Sequence, residues 1–153
     1  MLLTGEFFNK VDDKGRLMIP SKLRTLLASP SVVLTKGIDG KCLSLFSPAA
    51  FEKTVSSAIE GSDGMQFYSK VARQFTRLFI APSQTLDFDA NGRINLPSSL
   101  RSHAQLSPKS EAVILGMGSY IEIWNRDLYD ELDQDVSLSD LAEEIAKAKG
   151  ERV

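Results

Sequence analysis

Two arginines that follow glycines, Arg16 and Arg93, are the side chains of this sequence best suited to recognising a partner. Each comes after Asp-x-x-Gly, a turn sequence in which aspartate oxygens bond the local backbone and glycine accepts a positive φ. An arginine just beyond a tight turn can aim its planar fork at O6 and N7 of guanine, which is worth roughly 1–3 kcal/mol of discrimination. The alternative is structural: Arg16 pairs with Asp12 or Asp13 and only braces the turn.

Both arginines belong to one motif that occurs twice, with Gly15 and Gly92 separated by 77 positions. The shared frame is Asp-x-x-Gly-Arg-apolar-x-apolar-Pro-Ser-x-Leu-Arg, over residues 12–24 and 89–101. Repetition at a fixed spacing indicates one supersecondary unit that is used twice. The residues predicted to shape this unit are Asp12, Gly15, Pro20, Asp89, Gly92 and Pro97.

The elements that position the first arginine follow from the local pattern. Residues 2–11 alternate and predict a strand, which we expect to pair with a short strand at 16–19 across the turn. Pro20 suits the first position of a helix, where its missing N–H is not needed. Leucines spaced three and four apart then give that helix one buried stripe: Leu23, Leu26 and Leu27.

The strands and helices that are predicted outside the motif also occur once in each half. The sequence predicts strands at 32–35, 42–46, 84–88, 112–115 and 120–124. It predicts a helix from Pro48 with Ser47 as its N-cap, and another from Arg126. Between the halves, a helix over 65–79 is expected to bury one stripe formed by Tyr68, Val71, Ala72, Phe75, Leu78 and Phe79.

The doubled motif resembles the DNA-binding motif of the AbrB/MazE-like swapped-hairpin superfamily. Two copies in a chain of this length are similar to its double-repeat branch, the MraZ family. The resemblance implies an α+β fold, mostly β with short helices, in which two AbrB-like half-repeats pack as a pseudo-dimer. It divides the chain into a first repeat, a linker with an amphipathic helix, a second repeat and an acidic tail: residues 3–60, 61–81, 82–132 and 133–153.

The same resemblance implies a sequence-specific transcriptional regulator that binds G-rich direct repeats in double-stranded DNA near its own promoter, ahead of the division and cell-wall genes. It further implies a homo-oligomeric ring of about eight or more protomers, in which two non-identical halves meet head to tail. The predicted DNA-binding residues are Lys10, Lys14, Arg16, Arg24, Arg93 and Arg101. Two other functions stay open, an oligomeric assembly protein with weak DNA binding and an AbrB-like antitoxin.

The first copy is expected to be the principal DNA-facing surface, because the second carries Asn91 and Ser99 where the first has Lys14 and Lys22. For Arg24 an ordinary solvated charge is the alternative, and for Arg93 it is a structural ion pair. The row Lys70, Arg73 and Arg77 could touch phosphate or be a solvated helix face.

Charge is divided unevenly along the chain. The net charge of −2 separates into about +4 up to Arg126, with 15 bases and 11 acids, and about −6 beyond it, with three bases and nine acids. The tail has an apolar side and an acidic side from Leu138 to Ile145. It could be an oligomer contact, a cap on the basic surface or a loosely attached helix.

No pattern typical of an enzyme occurs. Asp12 and Asp13 lack a nearby nucleophile, and one cysteine with one histidine, Cys42 and His103, cannot form a structural zinc set. Cys42 lies in a predicted strand and is expected to be a buried, inert thiol. We therefore expect no catalytic site, cofactor, metal or small-molecule substrate. The absence of a basic-then-apolar leader or a long apolar run predicts a cytoplasmic protein without a membrane partner. The resemblance to DNA-binding regulators further implies a nucleoid-associated protein.

Overall fold

The structure is a computed structural model and describes residues 2–59, 69–132 and 135–150. The strands are β1 Glu6–Lys10, β2 Arg16–Met18, β3 Ser31–Lys36, β4 Cys42–Phe46, β5 Gln84–Asp87, β6 Arg93–Asn95, β7 Glu111–Gly116 and β8 Ile121–Asn125. The helices are α1 Ser21–Leu27, α2 Pro48–Ala58, α3 Lys70–Phe75, α4 Ser98–Ala104, α5 Arg126–Asp130 and α6 Leu138–Gly150, with a π-helical turn at Thr76–Ile80 after α3. The α+β prediction is confirmed, and the predicted strands beyond the first hairpin and the helices that begin at Pro48 and Arg126 are present. The four-part division of the chain stays a prediction.

Six strands form one antiparallel sheet in the order β1-β7-β8-β4-β3-β5. The order is symmetric about the central β4–β8 pair, because each half contributes equivalent strands at equivalent places. The first strand of each repeat, β1 or β5, pairs with the hairpin of the other repeat, β7 or β3. This exchange of first strands makes one chain a pseudo-dimer, as the family resemblance implies.

The expected pairing of β1 with residues 16–19 is wrong. β1 pairs along its length with β7, whereas β2 pairs with β6, so the two motif copies form a separate two-stranded ribbon. At the turn Asp12 N donates to Arg16 O at 2.9 Å, but the Arg16 N–H donates to the side-chain Oδ1 of Asp12 at 2.8 Å instead of continuing the backbone ladder, and beyond the turn β1 pairs with β7. Beyond the turn, a side-chain hydrogen bond connects β1 and β2, because Asn9 Nδ2 donates to Met18 O at 2.9 Å.

The main core lies between the ribbon and one face of the sheet. Leu17 and Ile94 face each other across the ribbon and are both fully buried, 0% exposed. The buried leucines of α1 and α4, Leu23 and Leu100, close the same cluster from the sides. Because every second residue of β2 and β6 points into this core, the alternate residues must point outward.

Both helix-starting prolines lie one residue earlier than expected. Pro20 and Pro97 are the N-caps of α1 and α4, and each carbonyl accepts the first helical bonds, as in Arg24 N to Pro20 O at 3.0 Å. Proline suits this position as well, because an N-cap needs an accepting carbonyl and a non-helical backbone.

Aromatic side chains cover the second face of the sheet. Phe46 of β4 contacts Phe51 of α2, with ring centroids 5.5 Å apart, and Phe79 of the π-helical turn at 6.1 Å. Thr35 fixes that turn by donating its Oγ1 proton to Phe79 O at 2.5 Å. Glu122 is also buried on this face, where its carboxylate accepts from Trp124 Nε1 at 2.8 Å.

The predicted single apolar stripe over 65–79 is wrong in part. The described helix begins at Lys70, and residues 65–68, with Tyr68, lie outside the described residues. Ala81 N bonds Thr76 O, an i to i−5 pattern that widens the last turn and rotates the residues after it. Phe79 is buried as predicted, whereas Val71, which precedes this turn, and Leu78, which lies within it, are 74% and 62% exposed.

Candidate nucleic-acid interface

The turn of the first motif is held by the carboxylate of Asp12. Its Oδ1 accepts the backbone N–H of Lys14 at 2.9 Å and of Arg16 at 2.8 Å, while its main-chain oxygen accepts Gly15 N at 3.0 Å. Gly15 has φ +77°, a conformation that side-chain-bearing residues rarely adopt. These bonds confirm the turn that the motif predicts.

The turn of the second motif is built in the same way from Asp89. Its Oδ1 accepts Asn91 N and Arg93 N, both at 2.9 Å, and its main-chain oxygen accepts Gly92 N at 3.0 Å. Gly92 has φ +78°. The structure therefore keeps the two turns equivalent although Asn91 replaces a lysine at the tip.

The ribbon brings the two turns side by side. In its register, Arg16 lies opposite Asn95 and Met18 lies opposite Arg93. Directly opposed residues of an antiparallel pair share one face, so these four side chains line the outward face of the ribbon. The result is a narrow β surface with an arginine at two diagonal corners.

Each arginine is held by the aspartate of its own turn. Arg16 Nε lies 2.7 Å from Asp12 Oδ2, and Arg93 Nε lies 2.9 Å from Asp89 Oδ2. Asp12 also reaches across the ribbon, since its Oδ2 lies 3.6 Å from Arg93 Nη1. Within the described residues, no hydrogen bond engages the Nη groups of Arg16. The ion pair with Asp12 thus fixes the Nε side of the Arg16 guanidinium and leaves its outer edge, formed by the two Nη groups, available.

Hydrogen bonds within the turns lower the pKa of both aspartates. The backbone N–H of Arg16 is the main cause that lowers the pKa of Asp12, with smaller effects from the Arg16 side chain and the Lys14 amide. The N–H of Arg93 lowers the pKa of Asp89 in the same way. At neutral pH each arginine therefore keeps a charged partner that orients it.

The arginines at the end of each motif, Arg24 and Arg101, cross to the other repeat. Arg24 Nε donates to Ile19 O at 2.9 Å. Its guanidinium packs so closely against Gly92 that a Cβ added to this glycine would lie 2.4 Å from Arg24 Cζ. Arg101 Nε donates to Leu96 O at 3.2 Å and lies against Gly15 in the same way. Both side chains thus clamp one turn against the other, and DNA contact through their outer edges stays a prediction.

The two predicted lysines lie in different places. Lys14 is exposed at the tip of the first turn, next to the ribbon face. Lys10 is exposed on β1, directly opposite Glu111 of β7, so it belongs to the large sheet and not to the ribbon. The structure brings Lys14, Arg16 and Arg93 together and separates Lys10 from them.

Two residues of the ribbon face were missed by the sequence reasoning, Met18 and Asn95. The signal was present, because strict alternation in 16–18 and 93–95 places them beside the arginines once the ribbon is known. What the sequence lacked was the pairing partner of each strand.

Other kinds of site find little support in the part of the chain that the structure describes. No group of three or more His, Cys, Asp or Glu side chains lies close enough together there to hold a metal ion. No helix in that part is both long and apolar enough to cross a membrane. Burial raises the pKa of Cys42 to about 12, in agreement with an inert thiol.

The geometry agrees with what the chain resembles. The family model described as "MraZ protein, putative antitoxin-like" matches twice, over residues 2–78 and 79–151. A relative named transcriptional regulator MraZ from Mycoplasmoides gallisepticum is 38% identical over 87% of this chain and 88% of its own length. Those of the same name from Treponema denticola and Caldanaerobacter subterraneus are 33% and 34% identical, over 95% and 94% of this chain and 98% and 96% of their own lengths.

These relatives are named as regulators and not as enzymes, in agreement with the prediction that this chain has no catalytic function. Their match extends over both motif copies, and each copy is found by the family model separately. By its doubled motif, its exchanged strands and these matches, the chain belongs to the MraZ family.

Proposed function

We propose that this protein is a DNA-binding transcriptional regulator that reads sequence with the outward face of the β2–β6 ribbon. The observation that carries the proposal is the pair Arg16 and Arg93, held on one face through Nε by Asp12 and Asp89. The regulators that the chain resembles support the same function.

A two-stranded ribbon fits the major groove of B-DNA, which is wide enough for one. Diagonal neighbours of an antiparallel pair lie about 7–8 Å apart, close to two base-pair steps of about 3.4 Å. Arg16 and Arg93 can therefore contact guanines two steps apart. Arg16 would use the Nη groups that its ion pair with Asp12 leaves available, and Arg93 would exchange the 3.6 Å contact of its Nη1 with Asp12 for a contact with the base. Asn95, which lies opposite Arg16 and two residues beyond Arg93 on the same face, can donate and accept at a neighbouring base edge.

Phosphate contacts would come from the rim of the ribbon. Lys14 is exposed at the tip of the first turn and has no counterpart in the second, where Asn91 stands. A lysine at the rim neutralises phosphate and positions the ribbon without reading sequence. The first repeat is therefore the one that contributes more binding energy, and Arg24, Arg101 and Lys10 contribute less or none.

One such ribbon offers few base contacts, so we propose that affinity comes from several protomers bound to G-rich direct repeats near the protein's own promoter. A closed ring of protomers would place several ribbons on one DNA, and linked sites bind far more tightly than single ones. Action on division and cell-wall genes, and a place in the cytoplasm at the nucleoid, belong to the same proposal.

The ion pairs also favour a second candidate. If Arg16 and Arg93 only brace their turns, as the 2.7 Å and 2.9 Å contacts allow, the ribbon is structural and the protein is an assembly scaffold with weak DNA binding. The two candidates differ in what happens to binding when the arginines are truncated.

The test is fluorescence anisotropy with a duplex that carries one G-rich repeat from upstream of the gene, so that multivalency does not mask the effect. Arg16→Ala should weaken binding about tenfold or more, since a lost bidentate guanine contact is worth roughly 1–3 kcal/mol. Lys41→Ala, an exposed lysine in the β3–β4 turn, is the matched loss of one charge elsewhere and should change the affinity little.

Base specificity separates readout from general charge. One guanine of the repeat should weaken binding of wild type when it is replaced but no longer weaken binding of Arg16→Ala, whereas replacing the guanine that Arg93 contacts should weaken both. Equal affinities of wild type and Arg16→Ala for the repeat, with the oligomer intact in both, would move the DNA contact to Arg93 or the basic helix α3. Absence of specific binding by wild type would favour the scaffold over the regulator.

A further inference from the structure

The C-terminal helix α6 presents an amphipathic surface that nothing covers within the described chain. Its apolar residues Leu138, Leu141 and Ile145 are spaced three and four apart and therefore lie on one side. They are 84%, 39% and 61% exposed, and every residue of the helix is exposed. A helix of 13 residues is marginal in water by itself, so α6 needs a contact that stabilises it.

A matching surface lies on the outer side of α3 and its π-helical turn. Val71 and Leu78 are 74% and 62% exposed there, two turns apart on the helix. Basic residues stand beside them, and Lys70 and Arg77 are both exposed. We call this the α3 patch; it combines exposed aliphatic side chains with positive charge.

The two surfaces are complementary in charge as well as in polarity. The apolar side of α6 is accompanied by acidic residues in its first half, Asp140, Glu143 and Glu144. The α3 patch is accompanied by the basic residues Lys70, Arg73 and Arg77. Opposite charges along two apolar stripes favour one partner and disfavour like-charged ones.

We propose that α6 of one protomer docks on the α3 patch of a second copy of this chain. The leucines and isoleucine of α6 would cover Val71 and Leu78, and the acidic residues would face the basic row. Because the two surfaces differ, the contact is heterologous and passes from copy to copy until the ring closes. The inference rests on the proposed ring and names the contact that joins its protomers.

A second copy fits better than the other partners available to α6. The helix does not lie on its own chain's patch, since all its residues are exposed. Nor does the DNA-facing ribbon suit it, because the outward face there is formed mainly by Arg16, Arg93 and Asn95 and has no exposed large aliphatic residue. An apolar stripe needs an apolar counterpart to gain from leaving water.

Site-directed cross-linking tests the contact in the full chain. In a Cys42→Ala background, copies with Leu78→Cys are mixed with longer, tagged copies carrying Leu141→Cys and then oxidised. Docking brings these thiols to a local concentration in the mM range, so the mixed dimer should exceed the control by at least about tenfold. The control replaces Leu78→Cys with Ile38→Cys, which is 73% exposed in the β3–β4 turn.

Three results would overturn the inference. One is an equal yield of mixed dimer from Leu78→Cys and Ile38→Cys. Another is closure within single chains that carry both Leu78→Cys and Leu141→Cys, which would place α6 on its own body. The third is a higher yield with Met18→Cys than with Leu78→Cys, which would place α6 over the ribbon.

Charge exchange adds a test that misfolding cannot imitate. Lys70→Glu with Arg77→Glu should shift the protein to smaller species in light scattering, and Glu143→Lys with Glu144→Lys in the same chain should restore the large assembly. Failure of the second pair to restore it contradicts the contact. Leu141→Asp should lose assembly but keep affinity for a one-repeat duplex, whereas Arg16→Ala should do the reverse, so docking and DNA binding fail separately.

Discussion

Replacing Gly92 by alanine should destabilise the protein more than the same replacement at Gly118. Both glycines are left-handed, with φ +78° and +87°, so both substitutions carry a similar backbone cost of roughly 1–2 kcal/mol. The loss of unfolded-state entropy offsets about 0.4–1 kcal/mol of that cost at either position. The two sites differ only in what a new Cβ would meet.

At Gly92 the Cβ would lie 2.4 Å from Cζ of Arg24, whereas at Gly118 its nearest neighbour is Leu2 Cδ2 at 3.8 Å. A guanidinium is the flexible end of a side chain and can move aside, but moving it breaks the bond from Arg24 Nε to Ile19 O. That bond is worth about 0.5–1.5 kcal/mol. We expect Gly92→Ala to cost about 1–2 kcal/mol more than Gly118→Ala, once lost packing of the arginine is included.

Urea unfolding at one fixed protein concentration measures the difference, as a shift of the midpoint at unchanged slope. The Arg24→Ala background supplies the control, because without the arginine the excess cost of Gly92→Ala should fall to within about 0.5 kcal/mol of zero. If Gly92→Ala and Gly118→Ala cost the same with Arg24 present, the clamp between the repeats contributes nothing and the reasoning is refuted.

Two further predictions concern titration. The lowered pKa values of Asp12 and Asp89 mean that the unfolded chain binds more protons than the folded chain below about pH 4. The two aspartates therefore add to the free energy of unfolding above their ordinary pKa of 3.8, and this contribution is lost as the pH falls through their pKa values in the folded protein. The free energy of unfolding should therefore fall less steeply from about pH 5 to about pH 3 in an Asp12→Asn, Asp89→Asn variant than in wild type, and identical acid slopes would contradict the turn bonds. Burial raises the pKa of Cys42 to about 12, so a thiol reagent near pH 8 should label the native protein slowly and the urea-unfolded protein fully; fast native labelling would show that the strand is open.

The sequence by itself determined the local units of this protein. The turns at Gly15 and Gly92 are specified without help from the rest of the chain. In each turn an aspartate caps the backbone amides two and four residues later, and a glycine takes the left-handed position. The alternation of Leu17 with its neighbours likewise specifies which side of β2 is buried. The fixed spacing of the two copies predicts one unit used twice, and the resemblance to the swapped-hairpin superfamily implies that the two units pack against each other as a pseudo-dimer.

Only the tertiary structure decided which strands pair. Alternation identifies the buried face of a strand but not the strand next to it, so β1 was expected beside β2 and lies beside β7 instead. The same limit hid the roles of Arg24 and Arg101, whose contacts cross to the opposite repeat. It also hid the π-helical turn, since a constant period of 3.6 residues predicts burial for Leu78, which is exposed.

The sequence likewise predicted only part of the candidate interface. Each arginine and its aspartate are four residues apart, so a short-range pattern predicted the pair and left open whether it braces a turn or orients a contact. The ribbon face exists because β2 and β6, whose motifs are 77 positions apart, bury Leu17 and Ile94 against each other and turn Arg16 and Arg93 outward together. Local hydrogen bonds are encoded locally, whereas the burial that joins the two copies depends on the whole fold.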